Sequence, residues 1–435
     1  MQLGEDKRDK KHQVKISFFH KILQNQKLKN FFIYGIGQAV NIAIPLLITP
    51  YIVYACGIEK LGLIAIAQSL AYILCVIIDY GSYINGVREI SINRNEPKIV
   101  EKIFITHYTS KVFLLAFTAL IIIILAFFVP YFSIKKEVIL YSFPIIIAQF
   151  INPTWYYQGI EAFKWISFIN VLSKVLFVLG VFIIVLFPED FILVNLILGI
   201  SSIIANSIGF ISIYSINKFS FRKVKMLDVK KLISSDFSFC FSQLLFAIRN
   251  YSSVVIIGFF GGDFLAGQFK VIEQIINLLR TYLQLFFKFS YSYVCLEIDK
   301  NLKNGLKIWK NHNGLNFIFT LFLVCAIAVF SEQILYFFKV APNLIPQFEN
   351  YLHIALLIPL LIAVTLPMEQ LIFSFNKNKQ YIRITVFITF FNILGVSAMI
   401  YGLDIYAVFL FLILTEILLI AIYSFILQPL WIKEN

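Results

Sequence analysis

The stretch FKVIEQIINLLRTYLQLFFK, residues 269–288, decides how this chain folds. Its length and its many Leu, Ile and Phe residues are typical of a helix that crosses a membrane, which needs about 20 mostly apolar residues. It nevertheless carries four charged residues, Lys270, Glu273, Arg280 and Lys288. Four charges facing lipid would cost on the order of 10 kcal/mol on insertion scales. The face of the helix on which they lie therefore determines how the helix can be placed.

The polar residues of this stretch share one face of the predicted helix. At about 100° per residue, eight polar side chains fall within an arc of about 120°, and Val, Ile, Leu and Phe form the opposite side. The eight are Lys270, Glu273, Gln274, Asn277, Arg280, Thr281, Gln284 and Lys288. Such a face avoids lipid by turning toward other helices or water. The pattern predicts a water-filled cavity, with ion pairs that only fix the packing of the helices as the alternative.

The composition of the chain predicts an all-α polytopic membrane protein. Of its 435 residues, 60% are hydrophobic and 14% are charged, whereas soluble domains carry about 25% charged residues. Twelve stretches are long and apolar enough for membrane helices. They are residues 30–55, 61–85, 103–129, 138–158, 166–187, 191–216, 236–259, 263–295, 312–331, 350–375, 382–401 and 405–428.

The distribution of basic residues predicts the orientation of these spans. The net charge of +13 does not indicate a nucleic-acid partner, because the basic residues lie between apolar spans rather than on a soluble face. With both termini in the cytoplasm, 28 Lys and Arg residues fall in cytoplasmic segments and four in outside loops. This asymmetry is the one that the positive-inside rule requires. We expect no signal peptide in the basic tail, because no small-residue cleavage site follows it.

A repeat with an offset of 205 residues predicts two six-helix bundles. Gly57 and Gly62 correspond to Gly262 and Gly267, and each pair follows the first span of its half. Because six is an even number, both halves start on the same side, and an axis along the membrane normal would relate them. The predicted segments are a basic tail (1–29), an N-terminal bundle (30–216), a basic cytoplasmic loop (217–235), a C-terminal bundle (236–428) and a C-terminal tail (429–435).

The sequence contains none of the motifs that mark common enzyme or metal sites. A P-loop, HExxH, GxSxG and Cys/His groups with metal spacing are all absent from it. We therefore expect neither enzymatic activity nor a cofactor or metal. The soluble segments are too short for an ATPase domain, and large outside loops that would suit a glycosyltransferase or polymerase are missing. These features favour a secondary transporter.

Further charges in the spans extend the predicted site. Basic residues outnumber acids there, which predicts an anionic substrate group such as phosphate, since Arg binds it bidentately and Lys supplies a point charge. The predicted cationic lining is Arg249, Lys270, Arg280, Lys174, Arg88 and Lys288. Asp79, Glu273 and Glu369 are predicted as acids that either couple transport to an ion gradient or serve a structural role. Gln38, Asn41, Asn277 and Gln284 are predicted as polar lining that contacts sugar.

Three segments carry a family resemblance: PLLITPYIVYACGIEKLGLIAIAQSLAYIL (45–74), DYGSYINGVREIS (79–91) and NPTWYYQGIEAFKWISFINVLSKVLF (152–177). Together they resemble the Wzx-type polysaccharide flippases, the O-antigen and exopolysaccharide transporters of the MOP superfamily. The most specific features are the glycines of the first connection, the Asp79/Gly81/Arg88 group and the Trp155…Gln158-Gly159…Glu161 turn.

The resemblance implies two helix bundles around a cationic cavity and an undecaprenyl-pyrophosphate-linked oligosaccharide as substrate. It also implies a bacterial inner-membrane flippase for O-antigen, lipopolysaccharide or capsule assembly. A polysaccharide polymerase, a chain-length regulator and H⁺ or Na⁺ as coupling ion would be its partners. The alternative within the superfamily is a MATE-type multidrug exporter. Those exporters typically bind a cation through acids in the bundles, whereas the first span here has no acid and the seventh carries Arg249.

Overall fold

The computed structural model describes residues 26–217, 219, 225–375 and 377–434. Throughout these residues the chain forms helices and turns, and they contain no β-strand. Most of the predicted N-terminal tail lies outside the described residues. The prediction of an all-α fold is confirmed for the described part of the chain.

The first half of the chain forms long helices joined by short helical pieces. A π-helical turn (Ser82–Gly86) follows α2, and a 3₁₀ turn (Pro188–Ile192) precedes α10. The α-helices are α1 (Gln26–Cys56), α2 (Ile58–Asp79), α3 (Val87–Asn93), α4 (Pro97–Phe128), α5 (Pro130–Ser133), α6 (Lys136–Leu140), α7 (Phe143–Ile151), α8 (Thr154–Gly159), α9 (Phe163–Ile184) and α10 (Leu193–Asn217).

The second half is built in the same manner. A 3₁₀ turn (Pro342–Leu344) leads into its fifth helix. The α-helices are α11 (Met226–Gly261), α12 (Asp263–Lys300), α13 (Leu302–Val329), α14 (Ser331–Phe337), α15 (Ile345–Ala355), α16 (Leu357–Ser374), α17 (Asn378–Gly402) and α18 (Ile405–Glu434).

Ten helical segments within the described residues are long and apolar enough to cross a membrane. The other two predicted spans are α1 and α12. In α1 the segment Ala43–Cys56 is apolar and lies within the predicted span 30–55, and α12 contains the charged stretch 269–288. A multi-pass membrane protein follows from the ten apolar helices alone.

The helices differ from the predicted spans most clearly in the fourth span and beside the central loop. The fourth predicted span is divided into α6, α7 and α8. Asn152 and Pro153 interrupt the helix between α7 and α8, where the Asn152 side chain accepts hydrogen bonds from the backbone N–H and the hydroxyl of Thr154. The helix α11 begins at Met226, within the segment 217–235 that is predicted as the basic cytoplasmic loop. Hydropathy detects the apolar part of a helix and misses polar turns that extend beyond the bilayer.

The two halves meet most closely where α2 crosses α12. A Cβ atom added to Gly62 would lie 2.0 Å from the carbonyl oxygen of Asp263, and one added to Gly267 would lie 2.0 Å from that of Ile58. The two contacts are reciprocal, because Ile58 and Asp263 are separated by the same 205 residues as the two glycines. This is the contact pattern expected of two halves related by a twofold axis.

The glycines before these two helices also match. Gly57 has a φ of 89° and Gly262 a φ of 90°, a left-handed conformation that glycine adopts without steric cost. We call the end of the protein that carries these glycines the outer end and the end that carries Ser82–Gly86 the inner end, after the predicted orientation.

A polar cluster joins the halves at the outer end. The Tyr131 hydroxyl donates a hydrogen bond of 2.6 Å to the Asp263 carboxylate, and the Lys135 ammonium forms an ion pair with the same carboxylate. Burial raises the pKa of Tyr131 above its ordinary value, and the hydrogen bond to Asp263 raises it further. Tyr131 therefore remains a donor at physiological pH, and the cluster reinforces the glycine crossing beside it.

At the inner end the halves are joined through α11. The Tyr80 hydroxyl donates to the Ile233 carbonyl over 3.0 Å, and the Asn85 amide donates to the Asp236 carboxylate over 2.7 Å. These bonds tie the segment after α2 to the first turns of α11, so they must break if the two halves separate at this end.

Candidate functional site

A cavity of about 370 Å³ lies between the two halves, with α1 on one side and α11 and α12 on the other. Seven of the eight polar residues that the sequence placed on one face of α12 line this cavity. The exception is Lys288, whose side chain is exposed. Periodicity alone thus identified the polar wall, because one face of a helix turns toward one neighbour.

Two of the charged residues that line the cavity form an ion pair with each other. The Lys270 ammonium lies 2.8 Å from the Glu273 carboxylate, one helical turn away, and the two side chains are 18% and 12% exposed. Such a pair is nearly neutral, yet both members line the cavity. Pairing and cavity lining, which the sequence presented as alternatives, occur together here.

Arg280 is the cationic residue of the lining without an ion-pair partner among the described residues. Its guanidinium donates a hydrogen bond of 3.1 Å to the Asn277 amide oxygen, and it lies close enough to Glu273 and Glu416 to interact electrostatically with both. A guanidinium has five donors in a planar fork. Most of them remain available to an anion that enters the cavity.

Arg249 lies on the neighbouring helix but does not line the cavity. Its guanidinium forms an ion pair of 3.1 Å with Glu416 on α18, which also accepts a hydrogen bond of 3.2 Å from the Thr365 hydroxyl. Glu369, predicted as a coupling acid, accepts a hydrogen bond of 3.0 Å from Tyr423 in the same bundle. These groups form a charged network inside the C-terminal half, one guanidinium with two carboxylates.

The remaining predicted residues are distributed over the N-terminal half. Lys174 is partly buried on α9 and Arg88 is exposed on α3, and neither lines the cavity. Asp79, at the last turn of α2, accepts a hydrogen bond from the Tyr83 backbone N–H over 3.3 Å. The Gln38 side chain lies outside the described residues.

Three of the four amide side chains predicted to contact sugar line the same cavity. Asn41 lines the cavity from α1, and Asn277 and Gln284 line it from α12. Asn250 and Tyr251 complete this lining from α11 and were missed by the sequence analysis. Their position directly after Arg249 on the same helix was the signal that could have drawn attention to them.

Known proteins share this arrangement of helices. The lipid II flippase MurJ, in an inward closed conformation, matches with a TM-score of 0.70 at 14% identity, over 91% of this chain and 87% of that chain. A multidrug resistance MATE family transporter of the MOP superfamily, in an inward-facing conformation, matches with a TM-score of 0.66 at 12% identity, over 92% of this chain and 96% of that chain. At these identities the likeness concerns the fold alone.

Sequence relatives narrow the family further. A protein of Escherichia coli (strain K12) named "Putative O-antigen transporter" is 24% identical over 253 residues, which are 58% of this chain and 61% of that relative. The alignment thus spans about three fifths of the relative's length. The family model described as "Polysaccharide biosynthesis protein" matches residues 27–290, more than half of the chain. The chain therefore belongs to the polysaccharide biosynthesis protein family.

Proposed function

We propose that the chain is a flippase that moves undecaprenyl-pyrophosphate-linked oligosaccharide units across a bacterial inner membrane by alternating access. The observation that carries this proposal is the cavity between the halves, where Arg280 has no ion-pair partner among the described residues and amide side chains surround it. Family membership supports the same proposal.

The cavity chemistry suits a substrate with an anionic group and a sugar. Arg binds phosphate oxygens through two parallel, charge-assisted hydrogen bonds, and these bonds are stronger in a medium of low dielectric constant. The amides of Asn41, Asn277 and Gln284 can each donate to and accept from sugar hydroxyl groups. The polyprenyl chain would remain in the lipid while its headgroup crosses through the cavity.

Alternating access requires that the halves separate at one end at a time. The outer end is closed by the Gly62–Gly267 crossing and the Asp263 cluster. The inner end is held by the bonds from Tyr80 and Asn85 to α11. In our proposal, rocking of the two halves breaks these two sets of contacts in turn, with both termini in the cytoplasm.

A MATE-type multidrug exporter is the alternative, since the fold also matches that of a MATE family transporter. The charges of the cavity argue against it. Of the three charged residues that line the cavity, Lys270 and Glu273 neutralise each other and Arg280 remains. A cavity with a surplus positive charge repels cationic drugs and attracts anions.

The partners of this activity are also part of the proposal. Asp79, Glu273 and Glu369 are the acids that we propose for coupling to H⁺ or Na⁺. A polysaccharide polymerase and a chain-length regulator would act on the glycan after it has crossed the membrane.

The test is complementation of bacterial cells that lack their own flippase for a surface polysaccharide. We expect Arg280→Ala to abolish surface glycan, because the cavity then loses its surplus cation, while the exposed Arg383→Ala on α17 serves as the matched control and restores it. Glycan is measured on whole cells, and the amount of each variant in the membrane is measured by immunoblot. Full restoration by Arg280→Ala at the wild-type amount would contradict the proposal, and so would altered resistance to cationic drugs without any effect on glycan.

A further inference from the structure

Two of the segments that carry the family resemblance, 79–91 and 152–177, pack against each other at the inner end, and the function proposed above assigns no role to this packing. A Cβ atom added to Gly86 would lie 2.9 Å from the Trp155 ring, and one added to Gly159 would lie 2.6 Å from the Ile90 side chain. The segment after α2 and the turn after α7 therefore form one tightly packed unit with α4 beneath them. We call it the buried-lysine unit, after Lys111.

The unit encloses a lysine that has no hydrogen-bond partner. Lys111 on α4 is 1% exposed, and its ammonium nitrogen has no partner among the described residues. That nitrogen lies 5.4 Å from the centre of the Tyr108 ring and 5.8 Å from that of Trp155. A charge buried without an acceptor costs several kcal/mol, and cation–π contacts offset about 2 kcal/mol or somewhat more of this. Among the described residues, Lys111 therefore has no hydrogen-bonded counter-charge.

One carboxylate lies within electrostatic range of Lys111 but accepts its hydrogen bond from another group. Asp79 is the acid that interacts electrostatically with Lys111, yet its carboxylate accepts from the Tyr83 backbone N–H over 3.3 Å. The titratable groups that face the unit are Asp79 on α2, Glu89 on α3, His107 and Tyr108 on α4, Tyr157 on α8 and Asp236 on α11. Glu89 lies 3.8 Å from His107 and is exposed, so it faces His107 rather than Lys111.

The segment that positions Asp79 is strained. Tyr80 has a φ of 41° and Gly81 a φ of 79°, and the π-helical turn Ser82–Gly86 follows them. A left-handed conformation costs a bulky residue such as tyrosine of order 1–3 kcal/mol and persists only where its surroundings hold it, and π-turns are frequent at functional sites. Here the bonds from Tyr80 and Asn85 to α11 hold the segment. Its conformation thus depends on contact between the two halves.

We propose that Lys111 and Asp79 form a proton-binding site whose occupancy is linked to the opening of the inner end. While the segment is held against α11, Lys111 is an unpaired neutral amine and Asp79 caps the turn. When the halves separate at this end, the bonds from Tyr80 and Asn85 break, and Asp79 turns to Lys111. The amine then binds one proton from water and forms an ammonium–carboxylate pair. The inference rests on the alternating access of the proposed function, and it makes inner-end opening sensitive to pH.

The experiment measures the distance between the two inner ends as pH changes. Spin labels are placed at Asn95→Cys and Lys303→Cys, which are exposed in the two halves, after the native cysteines have been replaced. The purified full chain is kept in lipid nanodiscs without glycolipid. We expect the population with separated inner ends to grow as pH falls from about 9 to about 6, by at most tenfold per pH unit because one proton is bound.

Variants of Lys111 and Asp79 test whether Lys111 is responsible for the pH response. We expect Lys111→Met to remain closed at every pH, because no ammonium can form. Lys111→Arg should remain separated at every pH, because a guanidinium does not lose its proton in proteins. Asp79→Asn should lose most of the separated population at low pH. Lys98→Met changes an exposed lysine on the same helix and should respond as the wild type does.

Four outcomes would overturn the proposal. The first is a wild-type chain whose label distance does not change with pH. The second and third are a pH response that persists in Lys111→Met and a pH response that is unchanged in Asp79→Asn. The fourth is a change in label distance at constant pH when chloride is replaced by gluconate, if Lys111→Met abolishes that change. The last would show that the amine binds a small anion. Asp79→Asn decides the question if Lys111→Met does not fold. Because no glycolipid is present, a normal pH response in a chain that restores no surface glycan would contradict the proposed function alone.

Discussion

The glycine crossing at the outer end offers a sharp test of the alternating-access model. In Gly267→Ala the new methyl group would lie 2.0 Å from the Ile58 carbonyl oxygen, whereas close carbon–oxygen contacts are about 3.3–3.6 Å. The two helices must therefore move apart by more than about 1 Å. Overpacking of this kind typically costs 1–3 kcal/mol, and it acts only on the conformation in which the outer end is closed.

A cost of about 1–3 kcal/mol shifts a two-state equilibrium by about 5–150-fold. We therefore expect Gly267→Ala to favour an open outer end and to reduce glycan export in complementation. Gly62→Ala should have a similar effect, because its methyl group would lie 2.0 Å from the Asp263 carbonyl oxygen. The assay is the distance between spin labels at the exposed residues Glu137 and Gln333, which flank the outer end in the two halves.

Gly314→Ala on α13 is the matched control, because a methyl group there would meet nothing within 4 Å. It should leave both the distance distribution and glycan export unchanged. If Gly267→Ala and Gly62→Ala gave the wild-type distance distribution, the crossing would not be the seal of the outer end. If they lowered the thermal midpoint and left the distances unchanged, the crossing would serve stability instead of gating.

Two further substitutions test the charges. Glu416→Gln leaves Arg249 without its ion-pair partner and should lower the free energy of unfolding by up to about 3–5 kcal/mol. The loss is smaller if Glu369 forms an ion pair with Arg249 instead. An unchanged thermal midpoint in detergent would contradict the structural role of the Arg249–Glu416 pair. Glu273→Gln releases Lys270 from its ion pair and should strengthen the binding of inorganic pyrophosphate to the cavity about tenfold or more. The binding is measured by calorimetry at low ionic strength. Equal or weaker binding would show that Glu273 does not limit the positive charge of the cavity.

The polar face of α12 could be predicted because it depends only on residues that are close to one another in the sequence. Every residue from Lys270 to Gln284 lies on one continuous helix, so a period of 3.6 residues was sufficient to place the polar ones together. The position of Arg249 could not be read in this way. Its partner Glu416 is 167 residues away, and no local pattern shows which neighbour a single charge faces.

Lys111 is one of the 28 basic residues that the sequence places in cytoplasmic segments, and its burial could not be predicted for a related reason. A lysine near the end of a span commonly extends its ammonium group to the interface, and hydropathy cannot distinguish that lysine from one enclosed by the bundle. The motifs around Gly86 and Trp155 were visible in the sequence. Their packing against each other over α4, which buries Lys111, is a tertiary contact that neither motif contains by itself.

The repeat explains why the charges of the cavity lie on α12 and not on its counterpart α2. The offset of 205 residues that relates the crossing glycines also aligns Lys270 with Ala65 and Arg280 with Cys75. Ala65 is 1% exposed, because α2 packs against both α11 and α12. A charge at that position would be buried against helices rather than in water, at a cost of several kcal/mol. The duplicated fold therefore permits charges on one of the two equivalent helices, and the charged lining of the cavity is asymmetric although the glycine crossing is not.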